Sequence, residues 1–210
     1  MPQITAIKPQ KRGNDKLNIY LDGKFAFSVT TEILLRENLK EGQEISSNKV
    51  TALIEESELS AIFDKVLRFL SFRPRSEFEI NEYLLRKNVG EETRKMVMQK
   101  LKVLKLIDDE AFARWWVEQR STFRPRGIRM LKYELRRKGI DRDLIEKTIK
   151  ENRSPATDLL LAEKLVQKKL SRLKNLPEAE AKKKLYRSLL QKGFSFEVLQ
   201  KAVAKFFKKG

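Results

Sequence analysis

Hydrophobic positions along the chain keep two different periods. Over residues 16–29, Leu17, Ile19 and Leu21 alternate with polar neighbours, Asp22-Gly23 intervenes, and Phe25, Phe27 and Val29 alternate again. Such alternation around Asp-Gly predicts a β-hairpin closed by a type I′ turn, which needs positive φ at both central residues. Ile4 and Ile7 supply a third strand, because a lone hairpin is marginal in water. Thr31 is placed to cap a short helix through "EILLRENL", with Gly42 beyond its end. Residues 1–49 therefore read as a small β-rich extension.

From Ser46 or Ser47 onward the spacing lengthens. Val50, Leu53, Ile54, Ile62, Phe63, Val66, Leu67 and Leu70 fall three and four apart, and helical spacing continues to the end of the chain. Prolines at 74, 125, 155 and 177 fit helix starts, and glycines at 90, 139 and 193 fit helix stops.

The helical part repeats itself. "FRPRSEFEINEYLLRKNV" begins at Phe72 and "FRPRGIRMLKYELRRKGI" begins 51 residues later at Phe123, which superposes Ile80 on Leu131, Leu84 on Leu135 and Lys87 on Lys138. Shifting Leu131, Leu135, Lys138, Gly139 and Ile140 by 54 reaches Leu185, Leu189, Lys192, Gly193 and Phe194. The expected fold is mainly α, a tandem array of three three-helix repeats behind the β-rich extension, with neighbours covering faces that one repeat leaves open. The expected divisions are 1–49, 50–108, 109–154 and 155–210.

Residues common to the copies read as scaffold. Lys138 and Lys192 complement the negative end of a helix, and Gly139 and Gly193 suit the left-handed position after it.

Charge then separates the copies. The chain has 46 Lys and Arg against 29 Asp and Glu, no histidine and no cysteine, for a net charge of +17. The excess is +5 over 109–154 (13 basic, 8 acidic) and +9 over 155–210 (14 basic, 5 acidic). Such a field favours anionic partners, namely polyanions, acidic protein surfaces or anionic lipid. Lack of cysteine excludes disulfides and thiolate chemistry, and lack of histidine removes the usual proton-transfer group near neutral pH. A cytoplasmic protein that binds rather than catalyses is expected, with no cofactor, no metal and no membrane segment.

The middle copy carries the densest cationic face. Arg129, Lys132 and Arg136 recur beside the apolar stripe of Ile128, Leu131 and Leu135, whereas the first copy has Phe78, Asn81 and Leu85 there. With Arg124, Arg126 and Arg137, and with Arg120, Arg73 and Arg75 beside the same turns, these residues form the candidate contact set for phosphate or carboxylate. Glu134 alone interrupts the run of cations. In "LIDDEAFARWWVEQR", Asp108 or Asp109 is expected to cap a helix. Three consecutive acids there also raise a divalent-metal reading, against which caps and dipole partners are the simpler account. Trp115 and Trp116 cannot share one core direction, so one of them is expected to be open to a partner. Phe123 and the tryptophans offer stacking surfaces for bases, although helical spacing favours the core for aromatics.

The order "DDEAFARWWVEQR", "RGIRMLKYELRRKGI" and "DRDLIEKTI" resembles the RecX family, regulators of the bacterial RecA recombinase. The resemblance runs over nearly the whole chain, and "YLDGKFAFSV" is similar to the N-terminal extension of longer members. It implies a bent array of three-helix repeats lying in the groove of a RecA filament on single-stranded DNA. It further implies inhibition of recombinase, ATPase and coprotease activities within recombination, repair and the SOS response, by a monomer with weak affinity for single- and double-stranded DNA. The third copy departs most, with Glu178 and Glu180 where the others have Arg-Pro-Arg. The residues alone also admit a stand-alone helical DNA-binding protein or transcriptional regulator, and a nuclease using Asp108, Asp109 and Glu110.

Overall fold

The computed structural model describes residues 1–10 and 16–207 and divides the chain into two compact units, Met1–Phe72 and Arg73–Gly210. The last residues of "KAVAKFFKKG" lie outside the described ones.

In the first unit, β1 (Ile4–Pro9), β2 (Lys16–Leu21) and β3 (Lys24–Thr30) form an antiparallel sheet in the order β1-β2-β3. Asp22 and Gly23 take φ of 49° and 80°, as the hairpin turn requires. Ile19, Phe27 and Val29 are buried with Ile4. Phe25 is not: the register slips between Ile19↔Phe27 and Tyr20↔Phe25, so the intervening Ala26 is a bulge residue. That slip turns Phe25 to the outer face, where its ring meets Tyr20 at 6.0 Å.

Two helices complete this unit. α1 (Thr31–Arg36) is capped by Thr30, whose side chain accepts from the Ile33 amide, rather than by Thr31. α2 (Ser47–Ser71) is capped by Ser46. Its Leu53 joins Ile33, Leu39 and Ile45 in the core against the sheet.

The second unit is helical: α3 (Glu77–Arg86), α4 (Glu91–Val103), α5 (Asp109–Thr122), α6 (Ile128–Arg137), α7 (Arg142–Asn152), α8 (Pro155–Leu170), α9 (Glu178–Gln191) and α10 (Phe196–Phe207). Side chains of Ser76, Asp108, Asp141 and Ser154 cap α3, α5, α7 and α8. Helices α5–α7 enclose Phe112, Val117, Leu131, Leu135, Ile145 and Ile149. Helices α8–α10 enclose a second core around Leu161, Val166, Leu185, Leu189, Phe194 and Leu199.

The repeats meet end to end through their second helices. The Ser76 hydroxyl, buried at the start of α3, donates to the Lys138 carbonyl just beyond α6 at 2.7 Å. The start of α6 meets the end of α9 in the same way: the Gly127 amide donates to the Lys192 carbonyl at 2.9 Å and the Arg129 amide to the Gly193 carbonyl at 3.3 Å. Unpaired amides of one helix thus satisfy unpaired carbonyls of another, with their dipoles aligned head to tail.

Each joint is sealed by an acid from the following repeat. Asp109 accepts from the Glu77 amide at 2.8 Å, and Asp158 from the Ile128 amide at 3.1 Å. Gly127, which has no capping side chain, is therefore capped across the joint.

The Lys-Gly stop consequently does more than end a helix. Gly139 and Gly193 have φ of 76° and 83°. In the first copy Asn88, with φ of 56° and exposed, ends the helix by conformation alone; Gly90, expected as that stop, instead precedes the start of α4. A Cβ on Gly139 would stand 2.3 Å from Phe78 Cβ, and one on Gly193 would stand 2.5 Å from Met130. At Gly127 it would stand 2.4 Å from the backbone of Gly193 and Phe194, which cannot retreat as a side chain would.

Gly127→Ala is expected to lower the unfolding free energy by about 1–3 kcal/mol through overpacking. Gly90→Ser, at an uncapped helix start with nothing within 4 Å, is expected to raise it by only a few tenths of a kcal/mol. Urea denaturation of both variants checks this, and an unchanged midpoint for Gly127→Ala would contradict so close a joint.

Candidate contact surface of the middle repeat

The nine cations expected to make contacts fall into two groups. Arg124, Arg129, Arg136 and Arg137 are exposed. Arg129, Arg136 and Arg137 lie on α6, and Arg124 is in the turn before it. Tyr133 rises among them, 55% exposed, with the Arg137 guanidinium 5.9 Å from its ring centroid. The geometry leaves an exposed cationic strip with an aromatic at its centre.

The remaining cations are partly buried, and those with known partners turn toward carboxylates or rings. Glu134 accepts from Arg120 Nε at 2.6 Å and from Trp116 Nε1 at 2.9 Å, with Arg126 Nε 3.6 Å away. The residue that interrupts the cationic run in the sequence is the anchor on which two of the cations fold back. Lys132 pairs with Glu146 on α7. Arg73 grips Glu79 with both terminal nitrogens, at 2.8 and 2.9 Å, a fork-to-fork pair of the strong kind. Burial and the neighbouring Arg73 push the Arg75 guanidinium below its ordinary value.

Trp116 is the centre of this inward set. Arg120, Lys138 and Arg73 lie 4.4, 5.2 and 5.9 Å from its ring, positions that favour cations over an aromatic face. Lys138 also reaches Glu79, so the expected role as a partner of its own helix end is supplemented by a link to the preceding repeat. Both tryptophans pack on Phe112, at 5.9 and 5.8 Å, and both are partly buried. The expectation that one would stand open for a partner is corrected: three cations and one core phenylalanine hold the pair. Phe123 goes the other way, 71% exposed beside Arg124 instead of in the core.

The three consecutive acids separate. Asp108 caps α5 through the Glu110 and Ala111 amides, Asp109 seals the joint with α3, and Glu110 pairs with Arg114 and Lys147. Among the described residues no cluster of three or more acids could hold a metal ion. No helix among them is long and apolar enough to cross a membrane.

Sequence reasoning missed Arg153 and Asp158, which form a buried ion pair. Arg153 also donates to Ser121 Oγ at 2.6 Å and to the Arg126 carbonyl at 3.1 Å, so it fixes the turn that carries Arg124 and Arg126. Only the unusual Arg-Ser-Pro before α8 hints at it in the sequence.

Comparison with known proteins covers both units. The family models described as "Regulatory protein RecX N-terminal domain" and "RecX, first, second and third three-helix domain" match residues 2–46, 63–101, 108–149 and 157–203. The regulatory protein RecX of Bacillus subtilis (strain 168) is 34% identical over 203 residues, covering 97% of this chain and 76% of its own. That of Clostridium beijerinckii is 30% identical over 212 residues, covering 98% and 96%. A crystal structure of a regulatory protein RecX superposes with a TM-score of 0.71 at 30% identity over 99% of both chains. The RecX structure from Lactobacillus salivarius supports the fold, with a TM-score of 0.61 at 24% identity over 70% of this chain and 95% of its own.

Glu79 yields a pH prediction. Burial works to raise its carboxyl, but hydrogen bonds from Arg73 and Lys138 outweigh burial and hold it below the ordinary value of 4.5. Its folded-state value is depressed, so its stabilisation is present above the unfolded value and fades as pH falls through the folded one. Thermal melts stepped downward from pH 5 are expected to show a steeper loss for the wild type than for Glu79→Gln. Parallel curves would contradict the assignment.

Proposed function

The chain belongs to the RecX family, whose members regulate RecA and are not enzymes, and from that membership we propose that it binds RecA and RecA–single-stranded DNA filaments. On this reading binding lowers the recombinase, ATPase and coprotease activities of RecA during recombination, repair and the SOS response. The protein acts in the cytoplasm as a monomer, and its affinity for free single- or double-stranded DNA is weak. The three helical repeats and the β-rich extension act as separate modules.

The observation that carries the reading is the exposed strip of Arg129, Arg136 and Arg137 on α6 with Arg124 in the turn before it, while Lys132 of the same helix pairs with Glu146. Held on a rigid helix, such a strip meets carboxylates or phosphates at little ordering cost. Arg120, Arg126, Lys132, Arg73 and Arg75 then support the surface from behind: removing one would disturb the strip's shape as well as its charge. A helical DNA-binding regulator remains the second reading, favoured by the exposed Tyr133 among arginines, a pairing suited to nucleic acid.

Titration into a RecA–DNA ATPase assay tests the proposal. The wild type is expected to suppress ATP hydrolysis at low stoichiometry. The Gln variant of Arg124, Arg129, Arg136 and Arg137 should need at least about tenfold more protein, with its fold intact by circular dichroism. Suppression absent at saturating protein and low salt would overturn the reading. Sequence-preferring binding to naked duplex that survives physiological salt would favour the second.

A further inference from the structure

The largest charge excess, +9, lies in residues 155–210, whereas the strip just described belongs to the middle repeat. Part of that excess surrounds a groove. Between α8, the turn after it and α9 there is an open cavity of about 370 Å³, within the size range of small-ligand pockets. Its floor is aliphatic: Leu165 and Leu173 are partly exposed and lie over the buried core residues Val166, Leu185 and Leu189.

The rim is cationic, formed by Lys168, Lys169, Arg172 and Lys192, and no Asp or Glu lines the cavity. None of these four cations pairs with a carboxylate among the described residues, whereas Lys182, Lys201 and Lys205 of the same repeat all do. Burial, together with the charges of Arg126 and Lys169, pushes the Lys192 ammonium below its ordinary value. The like charges are therefore close enough to repel one another, and no carboxylate among the described residues pairs with them.

An apolar floor inside an unneutralised cationic rim is complementary to an anion that also carries a hydrophobic group. No aromatic lines the groove, so a base would find no stacking platform. Three of the four cations are lysines, which lack the fork that grips phosphate on two oxygens. Both features weigh against nucleic acid. We propose that this groove of the third repeat is a docking site for an acidic peptide segment, with aliphatic side chains seated on Leu165 and Leu173 and carboxylates on the four cations. The site is distinct from the α6 strip and does not depend on the proposed function.

Fluorescence anisotropy with the full-length protein tests it. The probe is a labelled twelve-residue peptide carrying two leucines among glutamates and serines. Its counterpart has serine in place of both leucines at unchanged charge. The leucine peptide is expected to bind at least about tenfold more tightly than its counterpart, because its leucines leave water on binding.

Exchanging the exposed pair Lys168→Glu and Arg172→Glu is expected to weaken the leucine peptide at least about tenfold, with helix content and melting unchanged. Leu173→Gln should erase the difference between the two peptides. Equal binding of both peptides to the wild type would overturn the proposal, as would undiminished binding by the charge-exchanged variant. An oligothymidylate of equal charge that loses more affinity than the peptide on charge exchange would also overturn it, in favour of nucleic acid.

Discussion

Helix ends carry polar groups with no partner inside their own helix, and the architecture of the second unit follows from how that is resolved. Amides at the start of α6 meet carbonyls at the end of α9, and the start of α3 meets the end of α6 through Ser76. The three second helices are thereby strung head to tail, with positive ends on negative ends. Contact at backbone distance demands Gly127 and Gly193, since a single methyl group on either would hold the helices apart. It also demands Asp109 and Asp158, which cap the amides the contact leaves over.

The same constraint accounts for the odd third repeat. Among the described residues, no backbone hydrogen bond from another helix reaches the start of α9. The position matching Gly127 by the 54-residue offset is Ala181, inside the helix, which begins one turn earlier at Glu178. Glu178 and Glu180 fall in that extra turn, where acids complement the positive helix end. Their departure from the Arg-Pro-Arg of the earlier copies goes with a helix start that makes no such joint.

Joint and contact surface share residues. Lys138 follows α6, yet it reaches back to Glu79 and the ring of Trp116. Arg153 holds the turn before α6 through the Arg126 carbonyl while pairing with Asp158, which caps α6. A buried pair of this kind is a poor source of net stability, but breaking it leaves one charge stranded, so it enforces a single arrangement. The exposed arginines therefore project from a helix whose start, end and underside are all fixed.

Features that depend on neighbours within a few residues were legible in the sequence: the hairpin at Asp22-Gly23, the cap at Asp108, the helix stops at Gly139 and Gly193, the repeat of about fifty residues and the placing of excess charge. Period and turn chemistry are local, so they could be read from spacing. Even there, the bulge at Ala26 reversed Phe25, because a one-residue slip in pairing is set across the sheet. Which cations face solvent follows from packing between helices, not from spacing along one. Arg120 and Arg126 turn to Glu134, and Lys132 to Glu146, across gaps of 8 to 14 residues. Asp109 and Asp158 meet amides about thirty residues away. Electrostatic pairing depends on distance in space, and the composition of a helix face does not say which of its charges a carboxylate from another helix has already taken.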